Sequence, residues 1–293
     1  MEELSEIIND GVPDDADPEA AVIPFTTEGD AAREDFVGKD GLLVCGTCGQ
    51  PKQKRLEVPF RDKPLVVGVP CECERRAEAE REERERRAAA AGKAKKARRE
   101  CFRDCEFYQS YTFEADDHLN PKRSDVCLRY AETFDTGDPY GLLLWGDVGT
   151  GKSYMAAAIA NRVIDRGYSA LLTDIGSIVS LMESSFDDRR KNLERILRYD
   201  LLVIDDLGAQ RGTEYMMEHV YAVIDGRYRS GRPMVITTNF DAEEIAANRD
   251  SERWGRIFDR ILECCFPVEF KGKSRRRAKT GDMRKEMRAR LGL

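Results

Sequence analysis

Apolar residues between about position 101 and position 270 follow two different periods. Five short apolar runs have the length of buried strands, at 141–145, 168–172, 201–204, 234–238 and 266–270. The longer stretches between these runs repeat their apolar residues at helical spacing. Strands that alternate with helices are the pattern of a parallel sheet with crossover helices. The sequence therefore predicts one α/β domain over residues 101–270, with a parallel five-stranded sheet and flanking helices.

The segments outside this domain differ from it in composition. Residues 1–40 contain 13 acidic residues and few apolar ones, which predicts a disordered tail. Residues 41–74 carry four cysteines and are predicted to form a small module. Residues 75–100 repeat Glu and Arg three and four positions apart, which predicts an exposed helical linker. Residues 271–293 contain ten Lys or Arg and form a basic tail, either a DNA contact or a solvated helix.

The composition of all 293 residues narrows the class of protein. Hydrophobic residues make up 41% of the chain, enough for a core, and no apolar run of about 18 residues could span a membrane. The first residues, 1–5, lack the pattern of a signal peptide. We therefore expect a cytoplasmic protein without a membrane partner. In a reducing cytosol, clustered cysteines favour metal binding over disulfides.

The first predicted strand runs directly into a glycine-rich loop that opens a predicted helix. Its sequence is Gly146-Asp147-Val148-Gly149-Thr150-Gly151-Lys152-Ser153. Glycines let backbone N–H groups wrap phosphates, and the helix N-terminus adds partial positive charge. Lys152 would reach the outer phosphates and the Ser153 hydroxyl would bind Mg²⁺. The pattern predicts an ATP site with Mg²⁺, and we include Tyr154, the next helical residue, among its candidates.

Polar residues follow two other predicted strands. Asp205 ends the run 201–204, where an acid on a neighbouring strand tip would face the loop and hold the Mg²⁺ shell. Asp206 is a candidate to activate the attacking water, or else a carboxylate that starts a helix. Asn239 follows the run 234–238, so its amide could position the same water, or else cap the next helix.

Two arginines lie four residues apart beside a tryptophan. Arg256 and Arg260 would share one helix face downstream of the predicted site. A guanidinium supplied by a neighbouring subunit stabilises charge on a transferred phosphoryl group. We therefore predict that at least one of the two is such a finger, which implies a homo-oligomer when the protein is assembled.

The cysteine module contains two close pairs of thiols. Cys45 and Cys48 are separated by two residues, and Cys71 and Cys73 by one. Four thiolates in two pairs can close a tetrahedral zinc site, and the metal would add folding energy to a very short segment. We predict structural Zn²⁺, with free thiols or a redox pair as the alternatives. We expect the other five cysteines to pack as small apolar residues.

The motifs of the α/β domain, taken in order, resemble the AAA+ ATPases of the DnaC and DnaI type, replicative helicase loaders, and the related IstB transposition ATPases. The resemblance covers about residues 101–277. Besides the glycine-rich loop it depends on four segments: Tyr111-Thr112-Phe113-Glu114, Leu202-Val203-Ile204-Asp205-Asp206-Leu207-Gly208, Ile236-Thr237-Thr238-Asn239 and Arg256-Ile257-Phe258-Asp259-Arg260.

The resemblance implies more than the residues do alone. It implies that Asp206 assists hydrolysis, that Asn239 is a sensor, and that the stretch from Gly272 places Arg276 near the nucleotide. It also implies a reduced or absent lid, and a zinc module that engages a replicative DNA helicase. We therefore expect an ATP-hydrolysing helicase loader that contacts single-stranded DNA. The alternatives are an IstB-like transposition helper ATPase and a nucleotide-gated adaptor with little hydrolysis.

Overall fold

A computed structural model describes most of the chain. The described residues are 34–59, 61, 63–183, 186–208, 214–252, 254–272 and 274–292. The predicted acidic tail lies outside the described residues up to position 33. The chain divides into two compact units, residues 1–88 and residues 89–293. None of the helices in the described part is both long enough and apolar enough to cross a membrane.

The first unit contains two short antiparallel hairpins followed by the start of a long helix. Strand β1 (Phe36–Val37) pairs with β2 (Leu43–Val44), and β3 (Gln53–Leu56) pairs with β4 (Leu65–Gly68). β1 lies within the segment that the sequence predicted to be a disordered tail. That boundary was wrong, because Phe36 pairs with Val44 of the cysteine module.

The second unit is built on one sheet of five strands. They are β5 (Gly141–Gly146), β6 (Ala170–Asp174), β7 (Leu201–Leu207), β8 (Met234–Thr238) and β9 (Cys265–Phe270). All neighbouring strands are parallel, in the order β6-β7-β8-β5-β9. This confirms the predicted fold class. It corrects one expectation: β7, which carries Asp205, is not next to β5, because β8 lies between them.

Helices cover both faces of this sheet. The helices of the described chain are α1 (Glu72–Cys101), α2 (Pro121–Thr133), α3 (Lys152–Asp165), α4 (Ile175–Met182), α5 (Phe186–Arg198), α6 (Glu214–Ser230), α7 (Ala242–Arg249), α8 (Gly255–Cys264) and α9 (Arg275–Leu291). A 3₁₀ helix spans Glu106–Ser110. Single residues fix several helix starts: Pro121 is the first residue of α2, and Asp241 caps α7 with Glu244 in a capping box. In the described part, α9 alone follows β9, which fits a reduced lid.

The core of the second unit lies on both faces of the sheet. Successive side chains of a strand point to opposite faces, so Leu142 and Leu144 of β5 join one cluster while Leu143 joins the other. Helix α3 fills the first cluster with alanines, Met155, Ile159 and Val163. Because both faces are buried, the strands are continuous apolar runs, and their carboxyl ends are left to carry polar residues.

Helix α1 is only partly the exposed linker that the sequence predicted. Its charged first half is solvated, but Ala94 and Ala97 pack against the core of the second unit and Cys101 is fully buried. Arg98 donates a hydrogen bond of 3.0 Å to Asn161 and forms an ion pair with Asp165. The last two turns of α1 therefore belong to the second unit.

Candidate nucleotide site and cysteine cluster

The glycine-rich loop connects β5 to α3 at the carboxyl edge of the sheet. Gly146, Gly149 and Gly151 all have positive φ, at 118°, 82° and 105°. A side chain at Gly146 would approach the carbonyl of Phe270 at the end of β9 to 2.6 Å, and one at Gly149 would collide with Ser274. Only glycine satisfies both the backbone conformation and the close packing. The loop is thus held between β5 and the residues that follow β9.

Lys152 and Ser153 begin helix α3. Lys152 is 6% exposed, and its Nζ donates to the carbonyls of Gly146 and Asp147 at 2.8 and 2.7 Å. The ammonium group is therefore held across the mouth of the loop, where phosphate oxygens would accept from it. Thr150 closes the loop through a hydrogen bond of 2.8 Å from its hydroxyl to the carbonyl of Asp147.

Two other predicted nucleotide contacts differ in their surroundings. Val148, at the tip of the loop, is 60% exposed. Tyr154 packs its ring against Tyr111 with centroids 4.4 Å apart, and its hydroxyl donates to the carbonyl of Thr112 at 2.7 Å. Tyr154 therefore joins the helix after the loop to the segment 111–114, which precedes the loop in the same domain.

Asp205 lies near the carboxyl end of β7 and is held at both carboxylate oxygens. Its Oδ1 accepts a hydrogen bond of 2.6 Å from the hydroxyl of Thr237, and its Oδ2 accepts one of 3.1 Å from the hydroxyl of Tyr108. Burial, followed by the charge of Asp205, raises the pKa of Tyr108, so its hydroxyl stays protonated and donates. Each oxygen keeps a second lone pair, which a hard cation such as Mg²⁺ could use.

Tyr108 was missed by the sequence reasoning. It lies in the 3₁₀ helix three residues before the Tyr111 motif, where no strand or helix period marks it. The one signal available in the sequence was a second tyrosine, Tyr111, three residues later. In the structure the two rings form an edge contact, with their centres 5.4 Å apart.

Asp206 lies in a bulge of β7. The register of β7 with β8 shifts between Ile204 and Leu207, and Asp206 has a φ of 60°. Its N–H donates to the hydroxyl of Thr237 at 2.8 Å. The exposed carboxylate accepts from Nδ2 of Asn239 at 2.5 Å. The bulge therefore brings Asp206 and Asn239 together. Asp206 does not start a helix, because β7 continues past it. Asn239 does not cap α7, because Asp241 is the capping residue.

Arg256 and Arg260 both lie on α8 but have different surroundings. The Arg260 guanidinium lies 4.3 Å from the centre of the Tyr228 ring and forms ion pairs with Asp225 at 3.4 Å and with Glu263 at 3.5 Å. Arg256 is exposed and has no ion-pair or hydrogen-bond partner among the described residues. Arg260 is thus fixed within its own chain, whereas Arg256 is available to a neighbour.

The side chain of Arg276 lies outside the described part of the chain, although its backbone lies in the first turn of α9. The preceding residue, Arg275, contacts the loop instead. Its N–H donates to the carbonyl of Gly149 at 2.8 Å, and its guanidinium pairs with Asp116 at 3.3 Å and Asp117 at 3.0 Å. Arg275 therefore joins α9 to the loop and to the segment before α2.

The four predicted metal-binding cysteines come together in the first unit. The sulfur atoms of Cys45, Cys48, Cys71 and Cys73 all lie within 4.8 Å of one another. Backbone N–H groups of Gln50 and Cys73 lower the pKa of the Cys48 thiol to about 6, which favours the thiolate that binds metals. The donor set can hold one metal ion, and four sulfur ligands fit zinc best among common structural metals.

A lysine supports this cluster from one side. Lys52 Nζ lies 2.6 Å from Asp35 and 2.7 Å from Glu74, and all three side chains are mostly buried. Glu74 also accepts from the N–H of Cys71 at 3.0 Å, while Asp35 accepts from the N–H of Gly46 at 3.1 Å. The two carboxylates therefore hold the backbone at both cysteine pairs: Glu74 holds it at Cys71, and Asp35 holds it at Gly46, next to Cys45.

The sheet order, the glycine-rich loop and the paired acids define a P-loop ATPase domain of the AAA+ class. The family model of the IstB-like ATP binding protein matches residues 73–282. The chain therefore belongs to the IstB-like ATP-binding family, which confirms the resemblance found in the sequence.

Individual relatives agree with this assignment. The replicative helicase loader DnaC of Escherichia coli K12 is 32% identical over 151 residues, which are 50% of this chain and 60% of the relative. The replicative helicase loader DnaI of Bacillus subtilis is 27% identical over 183 residues, 56% and 58% of the two chains. The chain thus spans about three fifths of the length of these relatives. A crystal structure of the DnaC helicase loader, 21% identical, matches the fold with a TM-score of 0.50 over 56% of this chain and 98% of that one.

Proposed function

We propose that this protein is an ATP-dependent loader of a replicative DNA helicase. The observation that carries the proposal is the paired Asp206 and Asn239 beside Asp205, at the same sheet edge as the loop of Lys152. Binding of nucleotide alone does not require this pair, whereas hydrolysis needs a carboxylate to accept a proton from water. The similarity to DnaC and DnaI, each named a replicative helicase loader, supports a replicative helicase as the partner.

The chemistry that we propose follows from these positions. The loop and Lys152 bind the ATP phosphates, and Ser153 with Asp205 holds Mg²⁺, which neutralises phosphate charge when bound. Asp206 accepts a proton from the attacking water, and Asn239 fixes the carboxylate that does so. An arginine of α8 from a second copy stabilises the developing charge, so turnover requires a homo-oligomer.

The cysteine cluster has a separate role in this proposal. Structural Zn²⁺ bound by Cys45, Cys48, Cys71 and Cys73 orders the first unit, which engages the helicase. Exposed apolar residues of this unit support a docking role, since Phe36 and Val37 are 54% and 68% exposed. We place the whole assembly in the cytoplasm, on single-stranded DNA.

Helicase loading provides the test. The protein is mixed with the replicative helicase of its own host and a closed circular single strand, and helicase retained on the circle is measured. We expect ATP-dependent retention by the wild type and none by Lys152→Ala. Retention that is equal with and without this protein would contradict the proposal.

A transposition helper remains the second candidate, because the family model that matches is named for the IstB-like proteins. The same preparation separates the two functions. A transposition helper would increase strand transfer by a transposase and leave helicase retention unchanged. We favour the loader because DnaC and DnaI are the named relatives and because the chain carries the cysteine module.

A further inference from the structure

The two halves of helix α1 differ in charge. Residues 72–88 carry seven Glu and six Arg, and ion pairs such as Glu78 with Arg81 and Glu83 with Arg87 neutralise them locally. Residues 89–101 carry three Lys and two Arg against Glu100 alone, and Arg103 follows the helix. Arg98 and Arg99 lie in the last turn, where the helix dipole favours cations. The three lysines lie before that turn, and like charges one turn apart, such as Lys93 and Lys96, repel. The second half therefore has an excess of positive charge that the helix dipole explains only in its last turn.

This positive charge surrounds a cavity of the second unit. The cavity has a volume of about 550 Å³ and lies between the end of α1 and helix α5. Its lining is Gly92, Lys95, Lys96, Arg99, Glu100, Arg103 and Arg195. Five cations thus face one carboxylate. The α1 residues recur three and four positions apart, so they form one face of the helix.

Most of these cations have no counterion. Lys95, Lys96, Arg99 and Arg195 have no ion-pair partner in the part of the chain that the structure describes, while Arg103 has only a long contact of 3.7 Å with its neighbour Asp104. Some surface cations elsewhere on the helices of the same unit, such as Arg229 with Asp225, are paired, and others, such as Arg256, are not paired with any described residue; the cavity is distinguished by having four unpaired cations together. Unpaired cations around a cavity create a local positive potential that attracts anions.

Gly92 gives an independent indication of a ligand. It lies inside a helix, where glycine costs about 1 kcal/mol relative to alanine. A Cβ at Gly92 would meet no heavy atom within 4 Å, so packing does not demand the glycine. Glycine is used where a ligand approaches the backbone closely, and Gly92 lines this cavity.

We propose that this cavity, which we call the α1–α5 groove, binds the phosphate backbone of a nucleic-acid strand. From Gly92 to Glu100 the groove extends about 12 Å along the helix axis. Phosphates of one duplex strand repeat about every 3.4 Å, so the groove is long enough for several. Its described lining contains no aromatic ring, and bases would have nothing to stack on. Binding is therefore independent of sequence and depends strongly on salt.

The assignment to nucleic acid, rather than to another polyanion, rests on the proposed loader function. The groove is separate from the basic helix α9, for which the sequence left a DNA contact and a solvated helix as alternatives. It is also formed by elements other than the glycine-rich loop and the strand ends. A defect in the groove should therefore change DNA affinity without changing ATP affinity.

A pair of matched double variants tests the groove. Lys96→Glu with Arg195→Glu reverses one groove cation on each helix. Lys93→Glu with Lys191→Glu reverses one exposed cation on each of the same helices, outside the groove, with the same change in net charge. Affinity for fluorescent single-stranded dT and dA oligonucleotides and for a duplex of equal length is measured by anisotropy at several salt concentrations, without ATP or helicase.

We expect the groove variant to bind at least tenfold more weakly at low salt, with a reduced dependence of affinity on salt, while the control stays within about twofold of wild type. The dT and dA oligonucleotides should behave alike, and the single strand and duplex series show which form the groove prefers. Equal losses in both variants, or no loss in the groove variant, would overturn the proposal. Because no ATP or helicase is present, failure here leaves the loader function to be judged by helicase retention.

Discussion

Asp206, the last residue but one of β7, and Asn239, which follows the adjacent strand β8, are joined by a hydrogen bond from Nδ2 to Oδ1 at 2.5 Å. Two features make this contact possible. The bulge in β7 and the positive φ of Asp206 turn its carboxylate away from the regular strand direction. The hydroxyl of Thr237 then fixes the Asp206 N–H, and also bonds to Asp205. Strained backbone of this kind persists where function requires it, which supports a catalytic role for the pair.

Asp206→Asn tests the proposed base. Asparagine tolerates a positive φ, so the bulge should be kept. We expect turnover of ATP to fall by about 10²- to 10⁴-fold while ATP affinity changes little, because a general base acts only in the chemical step. The measurement is steady-state turnover together with nucleotide titration. Asp187→Asn, an exposed acid on α5, is the control. Unchanged turnover in Asp206→Asn would favour the nucleotide-gated adaptor instead.

Tyr108→Phe tests the support of Asp205. The variant removes one hydrogen bond to a carboxylate, worth about 1.5 kcal/mol, and leaves the ring in place. We expect the Mg²⁺ concentration for half-maximal turnover to rise several-fold, with near-normal turnover at saturating Mg²⁺. Tyr140→Phe, which changes an exposed ring, should match wild type. A uniform fall in turnover at every Mg²⁺ concentration would show that Tyr108 does not act through the metal.

Mixing two inactive variants identifies the finger. Arg256→Ala keeps its own P-loop, and Lys152→Ala keeps its own α8, so a mixed assembly contains some complete sites. We expect each variant alone to lose about 10³-fold or more in turnover, and the mixture to recover part of it. Arg256→Ala should keep the melting temperature of wild type because the side chain has no partner among the described residues.

Arg260→Ala is the comparison for that experiment. Removal of the Arg260 side chain breaks the contact with Tyr228 and the ion pair with Asp225, so a small fall in melting temperature is expected. If Arg260→Ala and not Arg256→Ala is rescued by mixing, the assignment of Arg256 as the free finger is wrong.

Metal removal tests the cysteine cluster. We expect the purified protein to contain about one zinc per chain, and Cys73→Ser to lose most of it because the tetrahedral set is then incomplete. Cys105→Ser, outside the cluster, should keep the metal. Zinc is measured by elemental analysis, and the order of the first unit by amide hydrogen exchange. Full zinc content in Cys73→Ser would rule out the four-cysteine site.

The fold could be predicted from the sequence because each strand and each helix of a doubly wound sheet is marked by its own residues. Strands buried on both faces must be apolar runs, and a helix must follow each one. Strand order is not local: nothing in the run 234–238 shows that it lies between the runs 141–145 and 201–204. That is why the sequence placed Asp205 on a strand next to the loop.

For the site residues too, local sequence signals could be read and tertiary contacts could not. Lys152, Asp205 and Asn239 could be proposed because each directly follows a recognisable run or motif. Tyr108 could not, since its contact with Asp205 joins residues 97 positions apart through tertiary packing. The positive φ of Asp206 also has no signature in the sequence, because it is imposed by the bulge and by Thr237.

ATP turnover by the purified protein, with and without single-stranded DNA, tests the central claim most directly. We expect turnover that DNA stimulates and that Lys152→Ala abolishes, because Lys152, whose Nζ is held by the carbonyls of the loop, is the proposed cation of the phosphate site. Tight ATP binding with no turnover under either condition would contradict the claim that this family member hydrolyses ATP.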